Sequence, residues 1–214
     1  MSLDLFEADP DARLPLGPCS WLLRGLALPQ LQVLLPELDA IIARAPFRQM
    51  VTPGGFRMSA ALSNCGELGW MSDRRGYRYS RIDPDSGQPW PAMPAAWRQF
   101  ARAAADQAGY QGFDPDACLI NRYGPKAKMS LHQDRNETDF DAPVVSVSLG
   151  MSAVFLFGGL QRSDKSARVT LHHGDVVVWG GSDRLRYHGV MAPSGAPHPL
   201  LGEQRINFTF RKAG

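Results

Sequence analysis

Several features that mark other protein classes are missing from this chain of 214 residues. No apolar run approaches the roughly 20 residues that a membrane-spanning helix needs. The N-terminal residues MSLDLFEADP carry neither the basic nor the apolar segment of a secretory signal. Cys19, Cys65 and Cys118 are odd in number and share no CxxC spacing, which argues against a disulfide framework and a zinc site. We therefore expect a cytoplasmic protein that does not enter a membrane.

A large net charge is also missing. Lys and Arg total 23 and Asp and Glu total 21, so the formal net charge is +2. The total therefore does not argue for a nucleic-acid partner, and any basic surface must be local. The hydrophobic fraction of 44% is ordinary for a globular protein, and the length is compatible with one domain over residues 1–214. Nothing in the composition indicates an obligate oligomer, so we expect a monomer.

The first half of the chain begins with an arm, which is followed by a helix. Residues 1–25 predict an irregular arm with short extended pieces. From Pro29 to Arg44, leucines and isoleucines recur near a spacing of 3.6, which indicates a helix that Pro36 could kink or divide. The stretch that follows, about residues 46–92, carries aromatic residues, methionines and turn signals, and it favours hairpins or a loop-rich lid.

A second helix is predicted to have Pro94 at its N1 position, to continue through the Ala-rich stretch from Ala95 to Ala108, and to stop at Gly109. From about residue 117 to residue 211 the pattern changes to short strands separated by Gly, Pro and Asp. These strands are ACLINRY, VVSVSLG, AVFLFG, ARVTL, DVVVW, RYHGV and RINFTFR. Many short strands at short intervals indicate a sandwich or barrel. We predict an α+β, mainly β fold with N-terminal helices and a jelly-roll core.

One short motif in this β region has metal-ligand character. His132 and Asp134 are two residues apart, so they point to the same side of an extended backbone. With His188 they form two imidazoles and one carboxylate, the ligand set of a mononuclear non-haem iron(II) site that leaves other positions open. An isolated HxD often arises by accident, and His172, His173 and His198 compete for the third position. We interpret those three histidines as structural or exposed.

The last predicted strand has one polar and one apolar face. Arg205, Asn207, Thr209 and Arg211 alternate with Ile and Phe residues. A solvated edge strand would explain this pattern, since edge strands often carry charges. With the metal motif, a barrel interior that binds a dicarboxylate is favoured, because a guanidinium matches carboxylate geometry. The co-substrates would then be 2-oxoglutarate and O2, with hydrogen bonds from the two polar residues of an opposing strand, Asn121 and Tyr123.

Blocks along most of the chain resemble a known family. They are PFRQMVTPGGF, NCGELGW, DPDACLINRY, LHQDRNE, VVSVSLG, FGGLQR, HGDVVVWGG, RYHG and RINFTFR. In this order they are similar to the bacterial AlkB alkylation-repair dioxygenases, from about Pro46 to Arg211. The resemblance implies a double-stranded β-helix (jelly-roll) core over about residues 117–211 and a β-hairpin nucleotide-recognition lid over about residues 46–92.

By that resemblance, iron(II) is bound by His132, Asp134 and His188. The positions that match 2-oxoglutarate contacts are Asn121, Tyr123, Arg205, Asn207 and Arg211, and Trp179 lines the same pocket. The implied reaction is oxidative demethylation of 1-methyladenine, 3-methylcytosine and related lesions in DNA, with single strands preferred, or in RNA. The methyl group is hydroxylated, and formaldehyde, succinate and CO2 are released.

The resemblance also identifies residues near the flipped base: Thr52, Met58, Trp70, Tyr77 and Arg162. These lesions are methylated on the Watson–Crick edge, so their pairing is already broken and flipping costs less. They are also cationic, and aromatic faces attract cations, which favours Trp70 and Tyr77 as pocket walls. Ordinary hairpin or core packing is the alternative for both aromatics. Local phosphate contacts could come from Arg74, Arg75, Lys126, Lys128, Arg135 and Arg162.

The chain departs from the family pattern two residues after the metal aspartate. The family often has an acid there, near the lesion, whereas this chain has Asn136. A neutral amide still forms hydrogen bonds but lacks the charge that favours a cationic base. We therefore expect a weaker preference for cationic lesions over neutral ones such as 3-methylthymine. Two alternatives stay open, the same chemistry on another substrate and a non-catalytic binder of methylated nucleic acid.

Overall fold

The secondary structure contains two helices and a long series of short strands. A computed structural model describes residues 13–214, so the first part of the predicted N-terminal arm lies outside the described residues. The helices are α1 (Leu31–Arg44) and α2 (Ala95–Gln107). The strands are β1 (Arg13–Gly17), β2 (Ser20–Leu23), β3 (Ala61–Gly66), β4 (Gly69–Asp73), β5 (Gly76–Ser80), β6 (Ala117–Tyr123), β7 (Met129–His132), β8 (Val144–Gly150), β9 (Ala153–Phe157), β10 (Ala167–Leu171), β11 (Val176–Trp179), β12 (His188–Val190) and β13 (Arg205–Arg211).

Two antiparallel sheets form the core. The larger has seven strands in the order β1-β2-β11-β8-β13-β6-β3, and the smaller has four in the order β10-β9-β12-β7. Phe155 and Phe157 of the smaller sheet pack against Val177 and Trp179 of the larger one. Two packed antiparallel sheets with these crossovers form a jelly roll, so the predicted mainly β fold is confirmed.

The larger sheet has an apolar outer face. Ile206, Phe208 and Phe210 of β13 lie in the same buried cluster as residues of both helices. Trp97 of α2 stacks on Phe208 with ring centroids 4.1 Å apart. Because side chains alternate along a strand, the polar residues of β13 are turned toward the interior of the roll. The strand lies between β8 and β6, and all seven of its residues are buried. The solvated edge-strand interpretation is therefore wrong.

The N-terminal arm is more regular than predicted where the structure describes it. β1 pairs with β2, and β2 continues the larger sheet by pairing with β11. Leu22 and Leu23 are both buried because β2 packs on both of its faces. A strand buried on both faces shows no polar–apolar alternation, so its pattern carried no period-2 signal.

Proline and glycine act at the helix ends much as predicted. α1 runs unbroken through Pro36, which lies on its exposed face, where water can reach the carbonyl that loses its partner. Pro94 was predicted at the N1 position of α2. It is instead the N-cap, and its ψ of 140° is not helical. Gly109 follows the end of α2 with a φ of 93°, a left-handed conformation that suits glycine. Across residues 13–214, each helix is too short or too polar to span a bilayer.

A separate hairpin lies in the stretch predicted as a lid. β4 and β5 form a two-stranded sheet with Trp70 opposite Tyr79 and Ser72 opposite Tyr77. β3, in the same stretch, instead pairs with β6 at the edge of the seven-stranded sheet. The hairpin is thus attached directly to the large sheet through the short connection between β3 and β4.

Candidate active site

Two histidines and one aspartate meet where β7 and β12 pair. His132 at the end of β7 is in register with His188 at the start of β12, and their ring centroids are 4.4 Å apart. Asp134 follows two residues after His132 on the same side. One potential ligand atom from each residue lies within 4.8 Å of the others. The predicted set of three is therefore brought together, and His172, His173 and His198 are not part of it.

The two imidazoles are oriented by backbone carbonyls. Nδ1 of His132 lies 2.9 Å from the carbonyl oxygen of Ser130, and Nδ1 of His188 lies 3.0 Å from that of Arg186. A proton on each Nδ1 satisfies these contacts and leaves the Nε2 lone pair for a metal. The Nε2 atoms lie 3.8 Å and 3.7 Å from the Asp134 carboxylate. All three potential ligands therefore face one point.

The charge state of this cluster also suits a divalent metal. Burial, together with the neighbouring His132, lowers the pKa of His188 to about 4, so this imidazole is neutral at pH 7. Burial alone raises the pKa of Asp134, but attraction by Arg211 and the two histidines holds it below its ordinary value. Two nitrogen atoms of Arg211 donate to Asp134 Oδ2 at 2.8 and 3.0 Å. Neutral imidazoles and an ionised carboxylate are the forms that bind metals.

The predicted co-substrate residues form the floor of the same cavity. Arg205 and Tyr123 are paired across β13 and β6, as are Asn207 and Asn121. The Arg205 guanidinium lies 5.2 Å from the centre of the Tyr123 ring and donates to Ser148 Oγ at 2.8 Å. Burial lowers the pKa of Arg205, and the contact with Tyr123 partly offsets this decrease. This floor therefore holds a buried cationic group beside the polar side chains of Tyr123 and Ser148.

Three buried polar atoms on the cavity wall have no hydrogen-bond partner within residues 13–214. They are Arg205 Nε, Asn121 Oδ1 and Trp179 Nε1. Buried polar atoms are almost always paired, and leaving one unpaired costs about 1–3 kcal/mol. Three such atoms around one cavity indicate a polar ligand. A small dicarboxylate fits the guanidinium and the indole N–H, and a metal fits the adjacent His–Asp–His set.

Asn207 differs from the other floor residues. Its Nδ2 donates to Ser146 Oγ and to the carbonyl of Val147, both at 2.8 Å. Its Oδ1 accepts hydrogen bonds from Thr209 Oγ1 at 2.9 Å and from Asn121 Nδ2 at 3.4 Å. The amide of Asn207 is therefore fully used within the sheet, where it orients Asn121. Direct contact between Asn207 and 2-oxoglutarate stays a prediction.

The rim of the cavity is aromatic. Trp70 and Tyr77 of the hairpin are stacked, with ring centroids 5.6 Å apart and an angle of 16° between the rings. Trp70 Nε1 donates to Asn136 Oδ1 at 3.3 Å. Tyr77 is 46% exposed, which argues against the alternative that it is an ordinary core residue. The stacked pair offers a flat apolar surface above the metal cluster.

A single cavity of about 630 Å³ connects the rim, the metal cluster and the floor. All fifteen predicted site residues line it: Thr52, Met58, Trp70, Tyr77, Asn121, Tyr123, His132, Asp134, Asn136, Arg162, Trp179, His188, Arg205, Asn207 and Arg211. Ser146 and Thr209 also line it and were not predicted as site residues. Ser146 alternates with valines in VVSVSLG, and that interruption of an apolar strand is the signal that could have identified it.

Fold and site together define a class. A jelly roll whose interior holds two histidines, one carboxylate and buried arginines is typical of mononuclear non-haem iron(II) oxygenases. The model of the 2OG-Fe(II) oxygenase superfamily matches residues 22–211.

Curated relatives place the chain within that class. It is 54% identical over 211 residues to the alpha-ketoglutarate-dependent dioxygenase AlkB of Salmonella typhimurium, covering 99% of this chain and 98% of the relative. The AlkB of Escherichia coli is 52% identical over 212 residues, with the same coverage of both chains. The solved structure of OsALKBH1 superimposes with a TM-score of 0.80 at 28% identity, covering 94% of this chain and 100% of that one. The chain belongs to the 2OG-Fe(II) oxygenase superfamily and, within it, to the bacterial AlkB family.

Proposed function

We propose that this protein is an iron(II)- and 2-oxoglutarate-dependent dioxygenase that removes N-methyl groups from damaged nucleic-acid bases. The observation that carries the proposal is the single cavity, which joins a His–Asp–His cluster, a cationic floor with unpaired polar atoms and an aromatic rim. Each part corresponds to one reactant, because the cluster suits a metal, the floor a dicarboxylate and the rim a flat base.

Iron(II) would be held by His132, Asp134 and His188, and 2-oxoglutarate would bind in the same cavity, which Arg205 also lines. When bound, iron(II) and 2-oxoglutarate together would reduce O2, which would convert a methyl C–H bond into an alcohol and 2-oxoglutarate into succinate and CO2. Arg205 neutralises the far carboxylate of 2-oxoglutarate, and Tyr123 supports that guanidinium. Arg211 keeps Asp134 ionised.

The final step needs no further protein group. Hydroxylation gives an N–CH2OH group, whose C–N bond breaks as the hydroxyl proton leaves and the electron pair returns to the ring nitrogen. The products are formaldehyde and the unmodified base, so one O2 and one 2-oxoglutarate are consumed for each methyl group removed. The balance of atoms is therefore complete with these two co-substrates.

The rim supports a methylated base as the substrate. A base stacked on an aromatic side chain gains about 1–3 kcal/mol. 1-Methyladenine and 3-methylcytosine are cationic, so the faces of Trp70 and Tyr77 attract them more than they attract normal bases. Exposed Lys128, Arg135 and Arg162 around the cavity suit the phosphates on either side.

The finer features of the substrate also belong to the proposal. We infer a preference for single-stranded DNA, in which flipping the base costs least, with RNA as a second substrate. The chain would act as a monomer of one domain, with the lid over about residues 46–92 and the catalytic core over about residues 117–211. Its three cysteines are free, which is compatible with the reducing cytoplasm.

One experiment tests the proposal. The protein is incubated with iron(II), ascorbate, 2-oxoglutarate and a single-stranded oligonucleotide carrying one 1-methyladenine, and the oligonucleotide mass is followed. We expect the loss of one methyl group, with formaldehyde released in equal amount, and no loss with His132→Ala. Binding of the oligonucleotide without formaldehyde would instead indicate a non-catalytic binder. Succinate formed without any change in the oligonucleotide would indicate another substrate.

A further inference from the structure

A buried ionic network connects the β4–β5 hairpin to the metal cluster. Arg211 donates to Asp134 Oδ2 and also lies 3.5 Å from Glu137 Oε1. Arg184 donates to Glu137 Oε2 at 3.2 Å. Tyr79 of β5 donates its hydroxyl to Glu137 Oε1 at 2.6 Å. One buried carboxylate, that of Glu137, therefore receives groups from the hairpin, from β13 and from the segment before β12.

Arg184 also holds the backbone that carries the metal-binding aspartate. Its Nη1 donates to the carbonyl of Asp134 at 2.8 Å, and its Nε donates to the carbonyl of Ala142 at 3.1 Å. The guanidinium therefore connects both ends of the segment from residue 134 to residue 142. This segment has no regular secondary structure of its own, so these side-chain hydrogen bonds contribute to its position.

The network is too deeply buried to be an ordinary surface ion pair. Glu137, Arg184 and Arg211 are each 6% exposed or less. An ionised group removed from water costs several kcal/mol unless partners compensate for the lost hydration. The position of each member consequently depends on the others. A shift of Glu137 would displace Arg211 and, through it, Asp134.

Tyr79 is the member that the hairpin supplies. It is paired across β4 and β5 with Trp70, whose indole donates to Asn136, the residue next to Glu137. Burial raises the pKa of the Tyr79 hydroxyl, which keeps it protonated as a donor to Glu137. The hairpin that carries the aromatic rim thus contacts the metal-binding segment at two adjacent residues.

From this geometry we propose that Tyr79, Glu137 and Arg184 are positioning residues that make the placement of Asp134, and hence the affinity of the site for its metal, depend on the docked hairpin. The proposal rests on the proposed function in one respect, that Asp134 is a metal ligand. The three residues act through Asp134 and Arg211 and touch neither metal nor substrate.

The test measures the Mn(II) affinity of the metal-free protein by electron paramagnetic resonance, without nucleic acid or turnover. Tyr79→Phe removes one hydroxyl, and we expect Mn(II) to bind about tenfold more weakly, at the lower end of the effect of outer partners of metal ligands. The matched control is Tyr110→Phe, which removes a partly buried hydroxyl that donates to the carbonyl of Cys19, also at 2.6 Å. The control should lower the melting temperature comparably and leave Mn(II) affinity unchanged.

A double variant separates positioning from a general loss of structure. Glu137→Gln should weaken Mn(II) binding at least as much as Tyr79→Phe, and combining the two should add nothing further, since both act through the same carboxylate. Unchanged Mn(II) affinity in Tyr79→Phe, or equal losses in Tyr79→Phe and Tyr110→Phe, would overturn the proposal. If Tyr79→Phe does not fold, Glu137→Gln against Tyr110→Phe decides in the same way.

The result is independent of the demethylation experiment. If the wild-type protein binds Mn(II) and the variants behave as expected, but methylated oligonucleotide is not demethylated, then the positioning network stands and the proposed substrate fails. If demethylation occurs and the Mn(II) affinities are unchanged, the function stands and the network is only structural.

Discussion

The floor and the rim of the cavity are built in opposite ways. The floor consists of buried polar residues from the centre of a seven-stranded sheet, and Arg205, Asn207 and Arg211 are each 5% exposed or less. The rim consists of aromatic side chains on a two-stranded hairpin, where Tyr77 is 46% exposed. Asn207 and Arg211 of the floor have fixed partners within the fold, and within residues 13–214 the buried Arg205 Nε has none, which suits a bound anion.

Because of this difference, we expect the rim to tolerate amino-acid substitutions better than the floor does. A buried guanidinium or amide whose partner is removed costs several kcal/mol, so the floor must match the same small anion in every reaction cycle. An exposed aromatic residue can be replaced with little cost to folding, because its surface is already in water. Under the proposed function, we therefore expect the floor to determine the chemistry and the rim to determine which base is presented to it.

The largest effect is expected from the floor. Arg205→Met keeps the length of the side chain and removes its charge, which leaves a buried carboxylate of 2-oxoglutarate unpaired at a cost of about 2–5 kcal/mol. We expect the KM for 2-oxoglutarate to rise roughly 100-fold or more. Arg162→Met at the rim is the control and should leave that KM unchanged. An equal effect of both substitutions would remove the distinction between the two regions.

The metal cluster, which lies in the cavity between floor and rim, should make the metal-free protein sensitive to acid. The folded pKa of His188 is about 4, below its ordinary value of 6.5, so the unfolded chain takes up this proton first as the pH falls. Stability is then unaffected above pH 6.5 and falls by about 3 kcal/mol between pH 6.5 and pH 4. Urea unfolding of wild type and His188→Asn at several pH values measures this loss. A variant with the same pH dependence as wild type would contradict it.

At the rim, we expect Trp70→Ala to act on the nucleic acid alone. Loss of the stacking surface costs about 1–3 kcal/mol, so the KM for a methylated oligonucleotide should rise at least fivefold. The KM for 2-oxoglutarate should not change, because Trp70 lies on the β4–β5 hairpin and the floor residues lie on the seven-stranded sheet. Steady-state kinetics with each substrate varied in turn measures both values, and a parallel rise in the two would be evidence against separate regions.

A smaller effect is expected at Asn136, where the rim meets the metal-binding segment. Its Oδ1 accepts the indole N–H of Trp70, and its Nδ2 makes no hydrogen bond within the part of the chain that the structure describes. Asn136→Asp adds a charge that favours cationic bases by about 1 kcal/mol, so turnover of 1-methyladenine relative to 3-methylthymine should rise roughly fivefold. Asn136→Ala controls for loss of the amide. An unchanged ratio would show that lesion preference is set elsewhere.

The smallest effect is expected in the turn between β6 and β7. Lys126 has a φ of 73°, the one left-handed conformation outside glycine in the described chain, at a cost of about 1–2 kcal/mol for an L-residue. Lys126→Gly should stabilise the fold by about 0.5–1 kcal/mol in urea unfolding. If Lys126 contacts a phosphate, the same variant should lower the salt dependence of oligonucleotide binding by about 0.7–1 in log–log slope. An unchanged slope would leave Lys126 without a role at the rim.

Sequence patterns predicted some elements of this comparison and missed others. The polar face of β13 was visible as strict alternation, and that alternation predicted the floor. β7 was not predicted, because its alternation of apolar and polar residues covers only four positions, Met129–His132, and the strand is completed by pairing with β12. The network of Tyr79, Glu137 and Arg184 was also missed, since its members are far apart in the chain and only Glu137 lies in a quoted block, LHQDRNE.

The sequence by itself determined the donor types and their spacing. HxD places two ligands on one side of a strand, and the period of two places the arginines of β13 on one face. Only the tertiary structure decided which polar atoms have partners. It engaged the amide of Asn207 with Ser146, Val147, Thr209 and Asn121, and among the described residues 13–214 it left Arg205 Nε and Trp179 Nε1 without a partner. Hydrogen-bond partners come from strands distant in the chain, so their satisfaction is a property of the packed sheets and not of any local pattern.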